Sequence, residues 1–366
     1  MVMDLDTRQS SYSVEVDSVP HDTWDEIVSG FADAYHEQTA CYGSGHWKSR
    51  DSHLLLRRNG EAVAGARVAV FDLPVVGYGL AYLRFGPFWR REGRDPDPEV
   101  YRAAIDALVQ EYCVSRGLCL TIVPRPSPEH QSQEYALLRE AGFVRRREML
   151  DPERYLVDVS LSEEAQLKSL HQKWRYNLRQ ALANELEVRL CEAPHEIDAF
   201  NALYRQMVAR KNFDTPTPVH MTGDLIAGLP DKLKPKLFMA FRENEPIVGA
   251  TIGLFGDTAY YMFGASSAAA LPLKAGYALH WWIMRWLHTR AVRWYDLGGA
   301  AYEPGLRQFK KGMVGRQGHI VVMEGEHDRW TNPLGRIAAD ALFAIRSARR
   351  LVRHGSRYRR QSGVKS

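Results

Sequence analysis

The feature that most constrains the fold of this chain is a short internal repeat. The same pattern of apolar, charged and glycine residues occurs in two segments, LLLRRNGEAVAGARVAVF from Leu54 and AFRENEPIVGATIGLF from Ala240. In each, a short polar turn separates two runs rich in Val, Leu, Ile and Phe, which predicts a β-hairpin. The residues that align at one constant spacing are Arg58, Glu61, Val63, Gly65, Ala66 and Phe71 with Arg242, Glu245, Ile247, Gly249, Ala250 and Phe255. We therefore expect two similar halves.

The elements that follow each hairpin also repeat. The first hairpin precedes the apolar strand GYGLAYLRFGPFW, a helix from about Tyr101 to Arg116 and the strand LCLTIVP. The second precedes the strand TAYYMFGAS, the helix YALHWWIMRWLHTRA and the strand VRWYDLGG. This order of hairpin, strand, helix and strand resembles the core of GNAT acyltransferases, in which a central sheet opens to hold an acyl donor.

Two such units suit the length of the chain, because 366 residues exceed the size of roughly 250 to 300 residues at which single cores stop growing. The predicted fold class is α/β (α+β), with two tandem GNAT-like domains, each a mixed central sheet flanked by helices. The turn DPER places the boundary near residue 152. We expect a first, acceptor-side domain over 1–152, a second, donor-side domain over 153–330, and a C-terminal helix with a basic tail over 331–366.

A basic helix is predicted to open the second half, from about residue 163 to 184. Its apolar stripe consists of Leu167, Leu170, Trp174, Leu178 and Ala181. Lys168, Arg175 and Arg179 recur at i, i+7 and i+11 and would share another face, which could bind diphosphate or tRNA phosphates through planar guanidinium groups. A solvated surface helix with scattered cations is the alternative interpretation.

A glycine-containing strand end followed by cations marks the segment YDLGGAAYEPGLRQFKKGMVG, from 295 to 315. Glycines let the backbone approach a ligand closely. Ligands of open α/β sheets lie beyond strand ends, which places Asp296 and Gly299 near a site. The cationic cluster that follows consists of Arg307, Phe309, Lys310 and Lys311. A fixed lysine could stabilise the negative intermediate of acyl transfer to an amine. The alternative is a glycine turn with solvated lysines.

At these two groups the sequence resembles the FemABX family. The family's basic motif K-x-R-x-N-x-R-x-A is matched by residues 173–181, and ARKNF is similar to the end of the next family helix. The Tyr-rich strand YYMFGAS, which contains Tyr261 and Ser266, and the segments YDLGG and GLRQFKKG fit further family motifs. The resemblance covers about residues 155–325, and the first half matches mainly through GYGLAYLRFGP.

The resemblance implies an activity and site residues. FemABX enzymes move an amino acid from aminoacyl-tRNA to an amine, and the ester is already activated, so positioning and charge stabilisation suffice. Lys310 would support the intermediate, with Phe309 against the tRNA end. Arg210 would contact an acceptor phosphate, and Lys48 would be its first-domain partner. The full set of expected substrate-binding residues is Lys48, Arg175, Arg179, Arg210, Tyr261, Ser266, Asp296, Gly299, Arg307 and Lys311. Aminoacyl-tRNA would be the co-substrate, with no metal or other cofactor.

One departure from the family concerns the acceptor. Several cell-wall members carry a long helical hairpin arm, but the stretch between Ser162 and Glu196 is too short for two arm helices. The chain resembles the armless members, whose acceptors are more varied. We expect the acceptor to be an amine-bearing small molecule or a peptidoglycan precursor.

Two other functions compete with aminoacyl transfer. CoA-dependent GNAT N-acyltransferases hold the diphosphate of acyl-CoA in a loop Arg/Gln-x-x-Gly-x-Gly/Ala at a helix start. In LKAGYA, Gly276 and Ala278 are in register, but Leu273 stands where Arg or Gln is expected. The other competitor is a non-catalytic protein that holds tRNA or anionic lipid. The segment Phe309–Lys311 argues against it.

The charge of the chain is unevenly distributed. Residues 346–366 contain eight Lys or Arg and no acidic residue, which suits phosphate backbones, an anionic membrane surface or a solvated terminus. No apolar run reaches the roughly 20 residues of a membrane span, and the start does not resemble a secretory signal. We expect a monomeric, cytoplasmic enzyme that binds no DNA and contacts membranes at most through this tail.

Overall fold

The computed structural model describes residues 3–5, 12–42, 49–72, 77–149, 151–211, 221–290, 292–300 and 303–361. Within these ranges the chain forms two mixed sheets with helices packed against them. No helix in the described ranges is long and apolar enough to cross a membrane.

The first sheet contains eight strands in the order β1-β2-β3-β4-β5-β6-β15-β7. Its strands are β1 (Met3–Leu5), β2 (Tyr12–Val16), β3 (Arg50–Arg58), β4 (Glu61–Asp72), β5 (Gly79–Arg84), β6 (Cys119–Val123), β7 (Val144–Arg147) and β15 (Glu326–Arg329). The helices of this half are α1 (His21–Val28), a 3-10 turn (His36–Gln38), α2 (Pro98–Leu108), which continues as a π-helical segment (Val109–Ser115), and α3 (Gln131–Glu140). The pair β5–β6 is parallel, and the other described pairs are antiparallel.

The second sheet contains seven strands in the order β14-β8-β13-β12-β11-β10-β9. Its strands are β8 (Glu153–Asp158), β9 (Glu187–Cys191), β10 (Lys236–Arg242), β11 (Glu245–Phe255), β12 (Thr258–Ser266), β13 (Trp294–Asp296) and β14 (His319–Val322). The helices that follow in chain order are α4 (Glu163–Ser169), α5 (Gln172–Leu182), α6 (Pro194–Lys211), α7 (Met221–Gly228), α8 (Ala275–His288), α9 (Pro304–Val314) and α10 (Pro333–Gln361). Here β12–β13 is the parallel pair. The predicted fold class is confirmed.

The repeated segments form equivalent hairpins, β3–β4 and β10–β11. Both turns contain two residues with positive φ, Asn59-Gly60 at 54° and 82° and Glu243-Asn244 at 52° and 66°. Such left-handed turns match the twist of the adjoining strands. A register shift follows Leu56 in the first hairpin and Ala240 in the second, at the aligned position. The sequence repeat is thus a structural repeat.

An aligned glycine in each hairpin admits an aromatic ring. A Cβ on Gly65 would lie 2.5 Å from the Phe88 ring, and a Cβ on Gly249 would lie 2.8 Å from the Phe200 ring. Real Cβ atoms essentially never approach another atom this closely, so both positions require glycine or a displaced ring. The repeated glycine therefore serves packing in both halves.

β15 crosses from the second half into the first sheet, where its place between two strands matches that of β8 in the second sheet. β8 follows β7 in the chain but lies between β13 and β14, antiparallel to both. β15 follows β14 in the chain but lies between β6 and β7, again antiparallel to both. The expected end of the second domain at residue 330 therefore needs correction, because Glu326–Arg329 complete the first sheet. α10 then packs against β5 and β6 of that sheet.

The basic helix predicted over residues 163–184 is two helices, α4 and α5. Leu170 and His171 between them have extended backbones, with ψ of 145° and 144°. The Arg175 guanidinium donates to the carbonyl oxygens of Lys168 (3.0 Å) and Leu170 (2.7 Å) and so caps the end of α4. Lys168 and Arg175 therefore do not share one helix face. The predicted apolar stripe is buried from Leu170 onward.

Buried charges join the two halves. Asp257, at the β11–β12 turn, accepts hydrogen bonds from Arg125 and from Arg90 (3.1 Å), both in the first half. Burial opposes ionisation of this carboxylate, but the two guanidinium groups outweigh it and lower the pKa of Asp257 to about 2. Arg125 also donates to the Ala32 carbonyl oxygen (3.0 Å). The arginines and the crossing of β15 into the first sheet hold the halves together.

Candidate active site

The candidate site lies where β13 ends and α9 begins. The chain leaves β13 through Leu297, Gly298 and Gly299, and Gly298 adopts a φ of 72° that side-chain-bearing residues rarely take. α9 starts with Pro304 in its first turn and returns Lys310 toward this strand end. The Lys310 Nζ donates to the carbonyl oxygens of Leu297 (2.6 Å) and Gly299. Only 5% of Lys310 is exposed. The alternative interpretation of the sequence, in which this lysine is solvated, is therefore wrong.

The surroundings of Lys310 change its acidity. Burial, followed by the nearby Arg154 guanidinium, lowers the pKa of Lys310 to about 8, while Asp296, Asp151 and Glu303 oppose the shift. At neutral pH the side chain is mostly an ammonium ion, but it can lose a proton near pH 8. An ammonium has three N–H donors, and the two carbonyl oxygens occupy two of them.

Asp296 is part of the support beneath Lys310. This carboxylate is buried, accepts from the Gly298 backbone N–H (2.7 Å) and pairs with Arg154 (2.8 Å). Arg154 in turn donates to the Tyr35 hydroxyl (3.2 Å) of the first half. Asp296 therefore lies at the expected place, with its carboxylate already engaged in the chain.

An aromatic wall stands beside Lys310. The Phe309 ring is 4.9 Å from the Tyr277 ring, 5.5 Å from His280 and 5.9 Å from Trp174. The Lys310 Nζ lies 5.9 Å from the centre of the Tyr261 ring. These side chains come from four elements, α5, α8, α9 and β12. The expected residues Phe309, Lys310 and Tyr261 are thus brought together.

A cleft of about 240 Å³ opens along this wall. It is lined by His171, Lys173, Trp174, Asn177, Tyr277, Gly305, Gln308, Phe309, Lys311 and Gly312. The cations Lys173 and Lys311 are both exposed. The cleft thus combines aromatic faces with positive charge, which is the composition of sites that bind bases and phosphates.

Several of the expected binding residues are engaged elsewhere. Arg175 caps α4, and Arg307 forms an ion pair with Glu153. Arg179 is exposed on α5. Arg210 donates to the Ser266 carbonyl oxygen (2.7 Å), so these two residues meet each other at the end of β12. Lys48 lies outside the described residues.

The sequence did not predict three residues that lie at the site. Arg154 begins the second sheet, and no local pattern marks it as a partner of Asp296. His280 lies in an apolar helix, where its Nδ1 is 3.0 Å from the Tyr295 hydroxyl. Burial and the neighbouring Lys310 lower the pKa of His280 to about 3, so its ring is neutral. Tyr277 could have been predicted, because it directly follows Gly276 of the segment LKAGYA in the first turn of α8.

The loop before α8 is tied to α5. The Asn184 side-chain amide donates to the Leu273 carbonyl oxygen (3.0 Å), and that of Asn177 donates to the Tyr277 hydroxyl (2.9 Å). This loop is where CoA-dependent GNAT enzymes hold diphosphate, according to the sequence comparison above. α5 therefore packs against that part of the fold. Among the described residues, no group of three His, Cys, Asp or Glu side chains is placed to hold a metal ion.

Comparisons with known proteins agree with this architecture. Residues 168–311 match the family described as an acetyltransferase (GNAT) domain. The crystal structure of FemX superposes with a TM-score of 0.70 at 16% identity and covers 88% of this chain and 99% of its own. The chain has a FemX-like tandem GNAT fold. The predicted resemblance to the FemABX family is confirmed at the level of the fold.

Two further structures share the FemX-like fold. The C-terminal domain of a protein assigned as a lysylphosphatidylglycerol synthetase, from Agrobacterium fabrum, has a TM-score of 0.53 at 15% identity and covers 78% of this chain and 85% of its own. A conserved protein of unknown function from Bacteroides thetaiotaomicron VPI-5482 has a TM-score of 0.56 at 10% identity, with coverages of 86% and 98%. A comparison with curated protein sequences finds no significant match. Together with the family match, these findings support an acyltransferase of the GNAT type.

Proposed function

We propose that this FemX-like protein transfers an amino acid from aminoacyl-tRNA to an amine and forms an amide bond. The observation that carries the proposal is the buried Lys310 ammonium, held by two carbonyl oxygens, between Phe309 and Lys311, which line an aromatic and cationic cleft. A preorganised cation in a site with little water is suited to stabilising charge that develops in a transition state.

The reaction assigns distinct tasks to the protein and the substrates. The acceptor amine attacks the ester carbonyl carbon, a C–N bond forms, and the carbonyl oxygen becomes negative. The remaining N–H of Lys310 would donate to this oxygen. The C–O ester bond then breaks, and the proton lost by the amine leaves with the ribose oxygen.

The cleft beside Lys310 suits the end of a tRNA. The terminal base would stack on Phe309, Tyr277 or Trp174, and Lys173 and Lys311 would contact phosphates of the same strand. Stacking does not depend on a particular base, and the end of tRNA is single-stranded. Asp296 and Arg154 form a buried ion pair next to Lys310. This pair would keep the groups that position the reacting ester in a fixed arrangement.

The acceptor is proposed to be an amine-bearing small molecule or a peptidoglycan precursor. The stretch between Ser162 and Glu196 folds as α4, α5 and β9, without a helical hairpin arm. Arg210 and Lys48 are retained as proposed acceptor contacts.

The second candidate is an acyl-CoA-dependent N-acyltransferase. The family match over residues 168–311, which is to an acetyltransferase domain, favours it. Against it, Leu273 replaces the expected Arg or Gln, Asn177 of α5 bonds to the first turn of α8, and Asn184, just after α5, bonds to the preceding loop.

A donor-competition assay separates these functions. The protein is incubated with a panel of amines and either tRNA charged with labelled amino acids or labelled acetyl-CoA, and the label on each amine is measured. We expect transfer from tRNA and none from CoA. Transfer from CoA alone would refute the proposal. Transfer from neither donor, with retained tRNA binding, would favour a non-catalytic binding protein.

A further inference from the structure

α10 presents an apolar face that no other described element covers. Its inner side is buried against the first sheet through Ala338, Ala339 and Phe343. Its outer side exposes Leu334, Ile337 and Ile345 at 51%, 62% and 45%. With the exposed Ala341 and Ala348, these positions follow the spacing i, i+3, i+7, i+11 and i+14. That spacing lines up one stripe along a helix, here called the outer stripe.

The charge beyond the outer stripe is of one sign. The last acidic residue of the chain is Asp340, whose carboxylate is paired with Arg146 (3.1 Å) and Arg336 (3.8 Å). From Arg349 to Lys365 the sequence contains seven Lys or Arg and no Asp or Glu. α10 is 29 residues long, which corresponds to about 43 Å at the usual rise per residue. A long helix thus combines an apolar stripe with a cationic end.

We propose that α10 docks this protein on an anionic lipid surface. The outer stripe inserts at the boundary between headgroups and acyl chains, and the cations that follow in the sequence pair with lipid phosphates. Helices of this kind lie in the plane of a membrane interface, where buried apolar area and attraction to anionic lipid add together. The proposal does not depend on which acyl donor the enzyme uses.

The outer stripe distinguishes lipid from tRNA as the partner of this surface. Basic residues alone suit either, because both carry phosphates. Leucine and isoleucine gain nothing from a phosphate backbone, which offers no apolar surface to cover them. They gain free energy in a bilayer, because apolar area leaves water. The exposure of Leu334, Ile337 and Ile345 therefore favours lipid.

A vesicle assay tests the proposal with the full chain. Vesicles of phosphatidylglycerol and phosphatidylcholine are sedimented with the protein at low salt, next to vesicles of phosphatidylcholine alone. We expect the protein to bind the anionic vesicles, to bind more weakly at high salt and to ignore the neutral ones. The double variant Ile337→Glu with Ile345→Glu should bind at least about tenfold less, because both substitutions place a charge in the apolar stripe.

Matched controls decide between partners. Val322→Glu introduces one glutamate at an exposed apolar residue (60%) on β14, outside α10, and should bind vesicles like the wild type. Arg353→Gln with Arg357→Gln should lower binding and its salt dependence. Absence of binding to anionic vesicles, or wild-type binding by the Ile337/Ile345 variant, would overturn the proposal. Complete displacement of the protein from vesicles by tRNA without an attached amino acid would also overturn it, because Arg353 and Arg357 would then be assigned to nucleic acid. Thermal melts of each variant verify folding.

Discussion

The ends of β6 and β13 occupy equivalent places in the two sheets but have different roles. After β6, Arg125 turns into the interface between the halves and pairs with Asp257. After β13, the chain makes a glycine turn whose carbonyl oxygens hold Lys310. In the first half, the strand end thus joins the two halves of the protein. In the second half, the equivalent strand end forms part of the candidate site.

The residues after each strand explain this difference. Arg125 stands between Pro124 and Pro126, which restrict the backbone and donate no N–H. Gly298 and Gly299 leave the backbone accessible, and Gly298 takes a left-handed φ. The helix that follows differs as well, because α3 buries leucines such as Leu138 where α9 buries Lys310. A duplicated fold therefore needs only a few residues to specialise one half.

The largest expected effect concerns β15, which makes the first sheet depend on a segment that follows the second sheet in the chain. A chain truncated after Gly325 lacks β15 and α10, so β6 and β7 lose the strand between them. We expect it to lose the cooperative thermal transition seen by circular dichroism, because the first sheet is left with an unpaired gap. A chain truncated after Ala348 keeps β15 and should melt like the wild type. A wild-type melt of the chain truncated after Gly325 would show that β15 is dispensable.

The next effect concerns the contact that Arg125, after β6, makes between the two halves. Arg125→Met should lower the free energy of unfolding by about 3 kcal/mol, because Asp257 loses one of its two arginine partners and the Ala32 carbonyl loses a buried donor. Urea unfolding measures the change. The control Arg94→Met removes an arginine whose ion pair with Glu61 is exposed, and it should cost less than about 1 kcal/mol. Equal losses in both variants would contradict a special role for Arg125.

Replacing Lys310, the cation held at the end of β13, by methionine should affect activity instead of stability. Lys310→Met should reduce kcat roughly 100-fold, because a preorganised donor to the oxyanion is lost. It should change the thermal midpoint little, because removing a desolvated charge offsets the loss of the donor to the Leu297 and Gly299 carbonyl oxygens. Lys311→Met, one residue along on the exposed rim, should raise KM for the tRNA donor with a smaller change in kcat. If Lys310→Met retains wild-type turnover, Lys310 does not take part in the reaction.

The smallest expected effect is a pH dependence at Lys310. The folded protein loses this proton near pH 8, and the unfolded chain loses it near 10.5. Turnover should therefore fall above pH 8, by up to about tenfold per pH unit, as the ammonium disappears. Between the two pKa values the unfolded state binds more protons, so this group makes the free energy of unfolding rise with pH.

Turnover measured across a pH series tests the first trend. Urea unfolding at several pH values tests the change in the free energy of unfolding. Lys310→Met serves as the control, because it should abolish the Lys310 contribution to each. A wild-type rate that rises steadily from pH 7 to pH 10 would argue against a required ammonium.

The sequence indicated part of the candidate site and missed the rest for a physical reason. Asp296, Gly299, Phe309 and Lys310 lie in one segment, so a strand end, a glycine turn and a helix suffice to predict their proximity. Arg154, Tyr277 and His280 reach the site from distant positions in the chain. The predicted basic face failed because Arg175 bonds to the end of α4, which breaks the helix that would have aligned it with Lys168.

The sequence by itself determined the double architecture of this protein. Turn residues, alternating apolar runs and the constant spacing of the repeat act locally, so hairpins, helices and their order can be predicted from neighbouring residues. Only the tertiary structure decided that β15 joins the first sheet and that β8 inserts between β13 and β14. Both are short strands, and their pairing depends on free edges supplied by distant segments rather than on any signal within them. The same long-range packing placed Arg154 beneath Lys310 and left the outer stripe of α10 uncovered.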